Sequence, residues 1–346
     1  MAGRDRTRDA GLLTSRPGSA AVTRRVFVTG ATGFIGGSTA RLLRERGDEV
    51  VAVVRDPSKA SALSELGAHV VAGNLGSDAA IGSAMAGCDA VIHLAGSYRV
   101  GIPASERPAM YEANVALTER VLDVAIALGV SRIVEVSTAN VFGDTHGRIV
   151  DESYRRDPAD GFLSYYDETK YRAHVAARSR IAAGAQIVIA MPGTTYGRGD
   201  PSSLGAQLKA AYDGSARSIS LGDVGISPTY VDDLAAGIVA AMDRGRIGES
   251  YVLAGENMLL RDAMGVVARA AGRRPPRLNV PTGLLRFGAR LAPGVGHLFG
   301  LPPNLAEIIR ASAGVTYWAS STKAQAALGY RTRDLERGAR DAFGRP

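Results

Sequence analysis

The chain has 346 residues, 46% of them hydrophobic and 22% charged, an ordinary balance for a folded enzyme that excludes an extensively disordered protein. Its 41 basic and 34 acidic residues leave a formal charge of +7, but the two signs are interleaved and form no basic stripe with aromatics, so nucleic acid is not an expected partner. Cys88 is the single cysteine, which excludes an internal disulfide and suits a reducing cytoplasm, and the five histidines lack ligand spacing, so no metal is expected.

Residues 1–23 hold Arg4, Arg6, Arg8 and Arg16 among small polar residues, without the apolar centre of a signal peptide, and are expected to be a flexible tail. From residue 24 short β-branched runs alternate with amphipathic stretches, the pattern of βαβ units and a parallel sheet. Strands are expected at 26–29, 50–54, 69–71, 90–95, 132–137 and 187–191, with helices at 34–46, 107–128 and 164–183 among those between them. Together they predict an α/β fold, a Rossmann-type doubly wound parallel sheet over 24–191. Beyond Pro192 the pattern loosens, and 192–346 is expected to be a smaller, mixed, mainly substrate-binding part. The chain returns to the main sheet at about 228–255, through a helix at 231–242 and a strand at 250–254. No run reaches the roughly 20 apolar residues of a membrane span. The nearest, 283–301, is broken by Arg286, Arg290 and Pro293 and reads as a helix-turn, so a cytoplasmic protein with no integral membrane segment is expected.

Thr29-Gly-Ala-Thr-Gly33-Phe-Ile-Gly36 stands directly after the first strand and opens the first helix. Gly30 permits a tight turn, Gly33 lets backbone approach a pyrophosphate, and Gly36 lets helix and strand pack closely. With Thr32, Phe34 and Ile35 they form the predicted phosphate-binding turn of a dinucleotide site. At the end of the second strand stand Arg55, Asp56 and Lys59. An arginine there suits the extra phosphate of NADP, while an acidic residue suits the ribose of NAD, so NADP(H) is favoured and NAD(H) stays open. Asn74 and Leu75 are placed by position beside the adenine, and Ala95, Gly96 and Pro192 near the nicotinamide.

Tyr166 and Lys170 are four residues apart and share a helix face. A free phenol is a poor base at neutral pH. An adjacent ammonium favours phenolate, which makes Tyr166 a candidate acid/base and Lys170 its electrostatic partner. Thr138, leaving the fifth strand, offers a hydroxyl to hold a substrate oxygen. Ser97, Tyr98, Thr138 and Thr195 are the candidate substrate contacts.

These motifs occur together with His93-Leu-Ala-Gly96, Asn114-Val115, Val136-Ser-Thr-Ala-Asn-Val-Phe-Gly143, Tyr196-Gly197, Tyr230-Val-Asp-Asp-Leu234 and Lys323-Ala-x-x-x-Leu-Gly329. The chain so resembles the extended short-chain dehydrogenase/reductase superfamily, in its NAD(P)-dependent epimerase/dehydratase group and dihydroflavonol 4-reductase-like branch. The resemblance implies Tyr166 as acid/base, Lys170 as a partner that also holds the nicotinamide ribose, both therefore also cofactor contacts, and Asn114 as a supporting position. It also implies a homodimer through helices near 112–127 and 165–180. Similar dehydratases carry Asp-Glu where this chain has Ala139-Asn140, so dehydration is set aside. Arg55 and Arg310-Ala-Ser-Ala-Gly314 replace the acidic residue and the Arg-x-Gly-Asp stretch of nucleotide-sugar epimerases. The expected function is therefore hydride transfer between NADPH and a carbonyl or secondary alcohol of a small molecule. The alternatives are a sugar or sugar-nucleotide epimerase and, in another class, a non-catalytic dinucleotide-binding sensor.

Overall fold

The computed structural model describes residues 23–280, 283 and 304–344. Of the expected tail at 1–23, residues 1–22 lie outside the described residues, as do residues 284–301 of the expected helix-turn at 283–301.

Seven strands form one sheet: β1 (Arg25–Thr29), β2 (Glu49–Val54), β3 (His69–Ala72), β4 (Ala90–His93), β5 (Arg132–Val136), β6 (Ile187–Pro192) and β7 (Ser250–Leu253). Their order is β7-β6-β5-β4-β1-β2-β3, and every neighbouring pair is parallel. Buried on both faces, these strands read as nearly continuous β-branched runs. One face packs Val26, Val28, Val134 and Ala190 against Ala40 and Leu43 of α1 (Phe34–Glu45) and Leu234 and Ile238 of a later helix, Val231–Arg244. The opposite face packs Phe27, Val91, Ile133 and Ile189 against Ile81 of α2 (Asp78–Met85), Val121 and Leu122 of α3 (Leu117–Ala127) and Ala177 of α4 (Tyr165–Ala182). Because the chain leaves β1 in one direction and β4 in the other, a crevice opens at their C-terminal ends, where such sheets bind ligands.

One expected helix differs. The stretch 107–128 is divided by a π-helical turn, Glu112–Ala116, before α3 begins. Beyond β6 a smaller core gathers Tyr196, Leu208, Tyr230, Leu260, Met264, Leu335 and Ala339.

The outer edge of β7 is occupied by side chains. Glu152 Oε1 accepts the Val252 N–H at 2.7 Å, and Lys323 Nζ donates to the Ser250 carbonyl at 2.8 Å. No helix among the described residues is long and apolar enough to cross a membrane.

Candidate active site

The glycine turn is shaped for close approach. Gly30 has φ +70°, and a Cβ there would lie 2.8 Å from the Ala95 backbone nitrogen at the end of β4. A Cβ on Gly36 would drive into the Gly30 carbonyl oxygen, so only glycine lets α1 lie this near β1. Helix α1 starts at extended Gly33 with no side-chain cap and no acidic residue in its first turn. Its positive dipole end therefore faces the crevice uncompensated, with Thr32 and Gly33 exposed and Phe34 and Ile35 half-buried. An uncapped helix start over a cradle that a Cβ would fill fits a dinucleotide pyrophosphate.

At the end of β2, Asp56 is committed to its own turn. It accepts from Ser58 N at 3.1 Å and Ser58 Oγ at 2.6 Å, with Lys59 Nζ 3.9 Å away. These bonds hold its carboxyl below the usual carboxylate range. Arg55 is exposed and makes no ion pair among the described residues, which leaves its guanidinium free for an anion. Asn74 caps the adjacent turn by accepting from Gly76 N at 2.9 Å, and the Leu75 carbonyl accepts from Arg120.

Thr29 Oγ1 accepts from the Leu94 and Ala95 amides, both at 3.1 Å, fixing the loop that carries Ala95 and Gly96. The same hydroxyl lies 2.7 Å from His93 Nδ1, while His93 Nε2 lies 3.0 Å from Thr118 Oγ1. Burial, then the Lys170 charge, pushes the His93 imidazole down to about 3, so it is neutral and serves as a strut. Asn114, in the π-turn, joins the next loop to α4. Its Oδ1 accepts from Ser97 N at 2.6 Å, and its Nδ2 donates to Ser97 O and to Thr169 Oγ1, both at 3.0 Å.

Helix α4 begins at Ser164, whose hydroxyl accepts from Asp167 N. Arg156 locks that first turn through a buried bidentate pair with Asp167, at 2.9 and 3.1 Å. Tyr166 thus stands on a braced turn. Thr138, just past β5, accepts from Asn140 N at 3.2 Å and lies beside the Tyr166 phenol, whose ring the Tyr98 ring meets edge-on with centroids 4.8 Å apart. Tyr98 is 64% exposed, so it stands in an open cleft and shields one side of Tyr166. Burial and then the Tyr98 phenol raise Tyr166 above its ordinary value of 10, with the Thr138 hydroxyl working the other way. The group is neutral at neutral pH. Thr195 lies half-buried just past Pro192, its hydroxyl 3.4 Å from the Gly193 carbonyl.

Lys170 departs from the expected pairing. Its Nζ donates to the Val136 carbonyl at 3.1 Å, and the charge it answers is that of Glu135. Tyr166 and Lys170 do share a helix face, but the ammonium donates to the Val136 carbonyl at the end of β5. Sequence reasoning missed Glu135, Arg156 and His174, and it named His93 only within the motif His93-Leu-Ala-Gly96, with no role. The visible signal for Glu135 was a carboxylate inside the apolar run Arg132-Ile-Val-Glu-Val136. A cavity of about 400 Å³ lined by Phe34, Arg41, Arg198, Tyr230 and Asp232 shares only Phe34 with the predicted cofactor contacts.

Comparison with known proteins agrees with this architecture. The model of the NAD dependent epimerase/dehydratase family matches residues 26–254. A relative from Stigmatella aurantiaca, 4-hydroxy-2-methyl-3-oxo-4-farnesyl-3,4-dihydroquinoline-1-oxide ketoreductase, is 29% identical over 92% of this chain and 95% of its own length. The crystal structure of gox2253 is 30% identical, with a TM-score of 0.78 over 93% of this chain and 97% of that one. A UDP-glucuronic acid 4-epimerase from Bacillus cereus, solved with NAD, shares the fold at 20% identity, with a TM-score of 0.71 over 92% and 97% of the two chains.

Proposed function

The chain belongs to the NAD-dependent epimerase/dehydratase family, and from that premise we propose that it is an NADPH-dependent reductase of a carbonyl group in a small, largely apolar molecule. The observation that carries this reading is the Tyr166 phenol at the mouth of the crevice, set edge-on against Tyr98 beside Thr138 and kept protonated by its surroundings. A half-buried phenol above its ordinary range is a proton donor at neutral pH, which is what a carbonyl oxygen requires as hydride adds to its carbon.

A bound nicotinamide would supply the hydride. Gly30, Thr32, Gly33, Phe34, Ile35 and Gly36 would hold its pyrophosphate, and Arg55 with Lys59 the 2′-phosphate, Asp56 closing the turn between them. Asn74 and Leu75 would flank the adenine, and Ala95, Gly96, Lys170 and Pro192 the nicotinamide half. In the reaction, Thr138 donates to or accepts from the substrate oxygen and fixes its position, and Tyr166 gives that oxygen its proton. Asn114 holds Ser97 and hence the loop bearing Tyr98, so the wall opposite Tyr166 is rigid at its root. Tyr98, Ser97 and Thr195 would bound the substrate, and an exposed phenol ring favours an apolar or flat one. The same proposal includes a homodimer through the helices near 112–127 and 165–180, where Ile126 and Val175 are exposed. A sedimentation profile that stays monomeric at every concentration would count against it.

The test is a fluorescence titration with NADPH and NADH side by side, on the native protein and on Arg55→Ala. NADPH should bind more tightly, and the variant should lose about tenfold toward NADPH only, or ~1.4 kcal/mol. Retained NAD would favour an epimerase, and no binding of either cofactor would end the enzyme reading.

A further inference from the structure

Side chains on β5 alternate between the two faces of the sheet, so Glu135 points with Ile133 toward α3 and α4. Its side chain is fully buried and neither carboxyl oxygen has a hydrogen-bond partner. In register it lies between His93 on β4 and Ile189 on β6. A lone carboxylate is strongly disfavoured in such surroundings unless a cation answers it. The charge that acts on it is Lys170 from α4; its register neighbours are His93 from β4 and the uncharged Ile189 from β6, and a second histidine, His174, stands on α4. His93 is held neutral between two threonines. His174, 3.0 Å from Ser137 Oγ, is neutral too, pushed down to about 4 by burial and then by Arg178. Lys170 is the cation that remains, with its Nζ on the carbonyl of the very next residue, Val136.

We propose that Glu135 is the internal counter-charge of Lys170, a positioning residue that keeps the ammonium protonated beneath the site and sets how much of its field reaches Tyr166. The two form one charge system, in which losing either member leaves the other uncompensated. Burial pushes Glu135 up to about 7 while Lys170 pulls it back, and burial lowers Lys170 while Glu135 lifts it. Above neutrality the carboxylate and ammonium cancel. Below it the carboxyl is neutral, and the ammonium's positive field extends unopposed toward the phenol. The reaction thereby acquires a pH dependence near neutrality from a residue that touches no substrate. What that does for catalysis rests on the reading of Lys170 and Tyr166 given above, whereas the pairing itself does not.

The experiment is an NMR titration of the full chain carrying carboxyl-¹³C glutamate and ε-¹³C lysine, with Glu135→Gln and Lys170→Met. One glutamate resonance should titrate within about a unit of pH 7 in the native protein, vanish in Glu135→Gln and move up by about one unit in Lys170→Met. Lys170 should lose about tenfold in proton affinity in Glu135→Gln. Every glutamate titrating below about pH 5.5, or a Lys170 titration unchanged by Glu135→Gln, overturns the proposal. If Glu135→Gln fails to fold, the native protein and Lys170→Met decide it through the glutamate signal alone. No readout needs turnover, so a failure of NADPH binding would sink the reductase and leave this pairing standing.

Discussion

Tyr166 is a phenol made less acidic by its surroundings, with the neighbouring Thr138 hydroxyl working in the opposite sense. Reduction by such a group needs the protonated form, present through the whole neutral range, while oxidation of the alcohol needs phenolate. Carbonyl reduction should therefore be flat toward neutral pH on this residue's account, and alcohol oxidation should climb into the alkaline range. Replacing Tyr166 by Phe should lower kcat by about 10²–10⁴-fold, since that is what a positioned acid contributes. NADPH affinity, measured by fluorescence on the same preparation, should stay as it was. Turnover retained by Tyr166→Phe would remove the residue from the mechanism. At this scale the sequence was informative where chemistry and spacing coincide, as for Tyr166 and Lys170 four residues apart. It was silent on where the ammonium points, because the Val136 carbonyl meets it only once β5 and α4 are packed together.

Among elements, the strand-turn-helix unit at the start of the chain is the part most readable from residues. The expected β1, α1, β2 and β3 differ from the observed ones by a residue or so at their ends, because β-branched runs and stop glycines mark them clearly. The short strands of the smaller part, such as Ser218–Ile219 and Gly225–Ile226, carry no periodic signal of that kind. The π-turn at Glu112–Ala116 was equally hidden, since its sequence is ordinary helix former; its tertiary correlate is Asn114, bonded at once to Ser97 and Thr169. Gly36 and Gly37 make a matched pair for testing the turn. A methyl on Gly36 collides with the Gly30 carbonyl, whereas one on Gly37 meets Ala31 O at an ordinary 3.5 Å. Gly36→Ala should cost about 1–3 kcal/mol by overpacking and push α1 off the cofactor cradle. Gly37→Ala should leave melting temperature and NADPH affinity near the native values. Equal behaviour of the two variants would show that the tight crossing does not shape the site.

For the whole molecule, stability should carry the imprint of three shielded groups on one face of the sheet, His93 and Glu135 buried and His174 half-buried. His93 and His174 have folded values of about 3 and about 4, below their ordinary 6.5, so the stability they contribute is complete above 6.5 and lost as pH falls. Glu135 runs the other way. Its folded value of about 7 lies above the ordinary 4.5, so its contribution is present below 4.5 and lost as pH rises through 7. The loss is roughly 3 kcal/mol at most. Relative to the native protein, Glu135→Gln should gain in Tm steadily between pH 5 and 8, and a pH-independent difference would mean that Glu135 does not titrate there. The parallel sheet has a further consequence at β7. A terminal strand normally offers a row of free amides and carbonyls on which another extended chain can grow, the route to runaway association. Here Glu152 takes the Val252 amide and Lys323 covers the Ser250 carbonyl. One anion and one cation therefore act as a gatekeeper against self-templating, and keep the sheet from lengthening beyond its seventh strand.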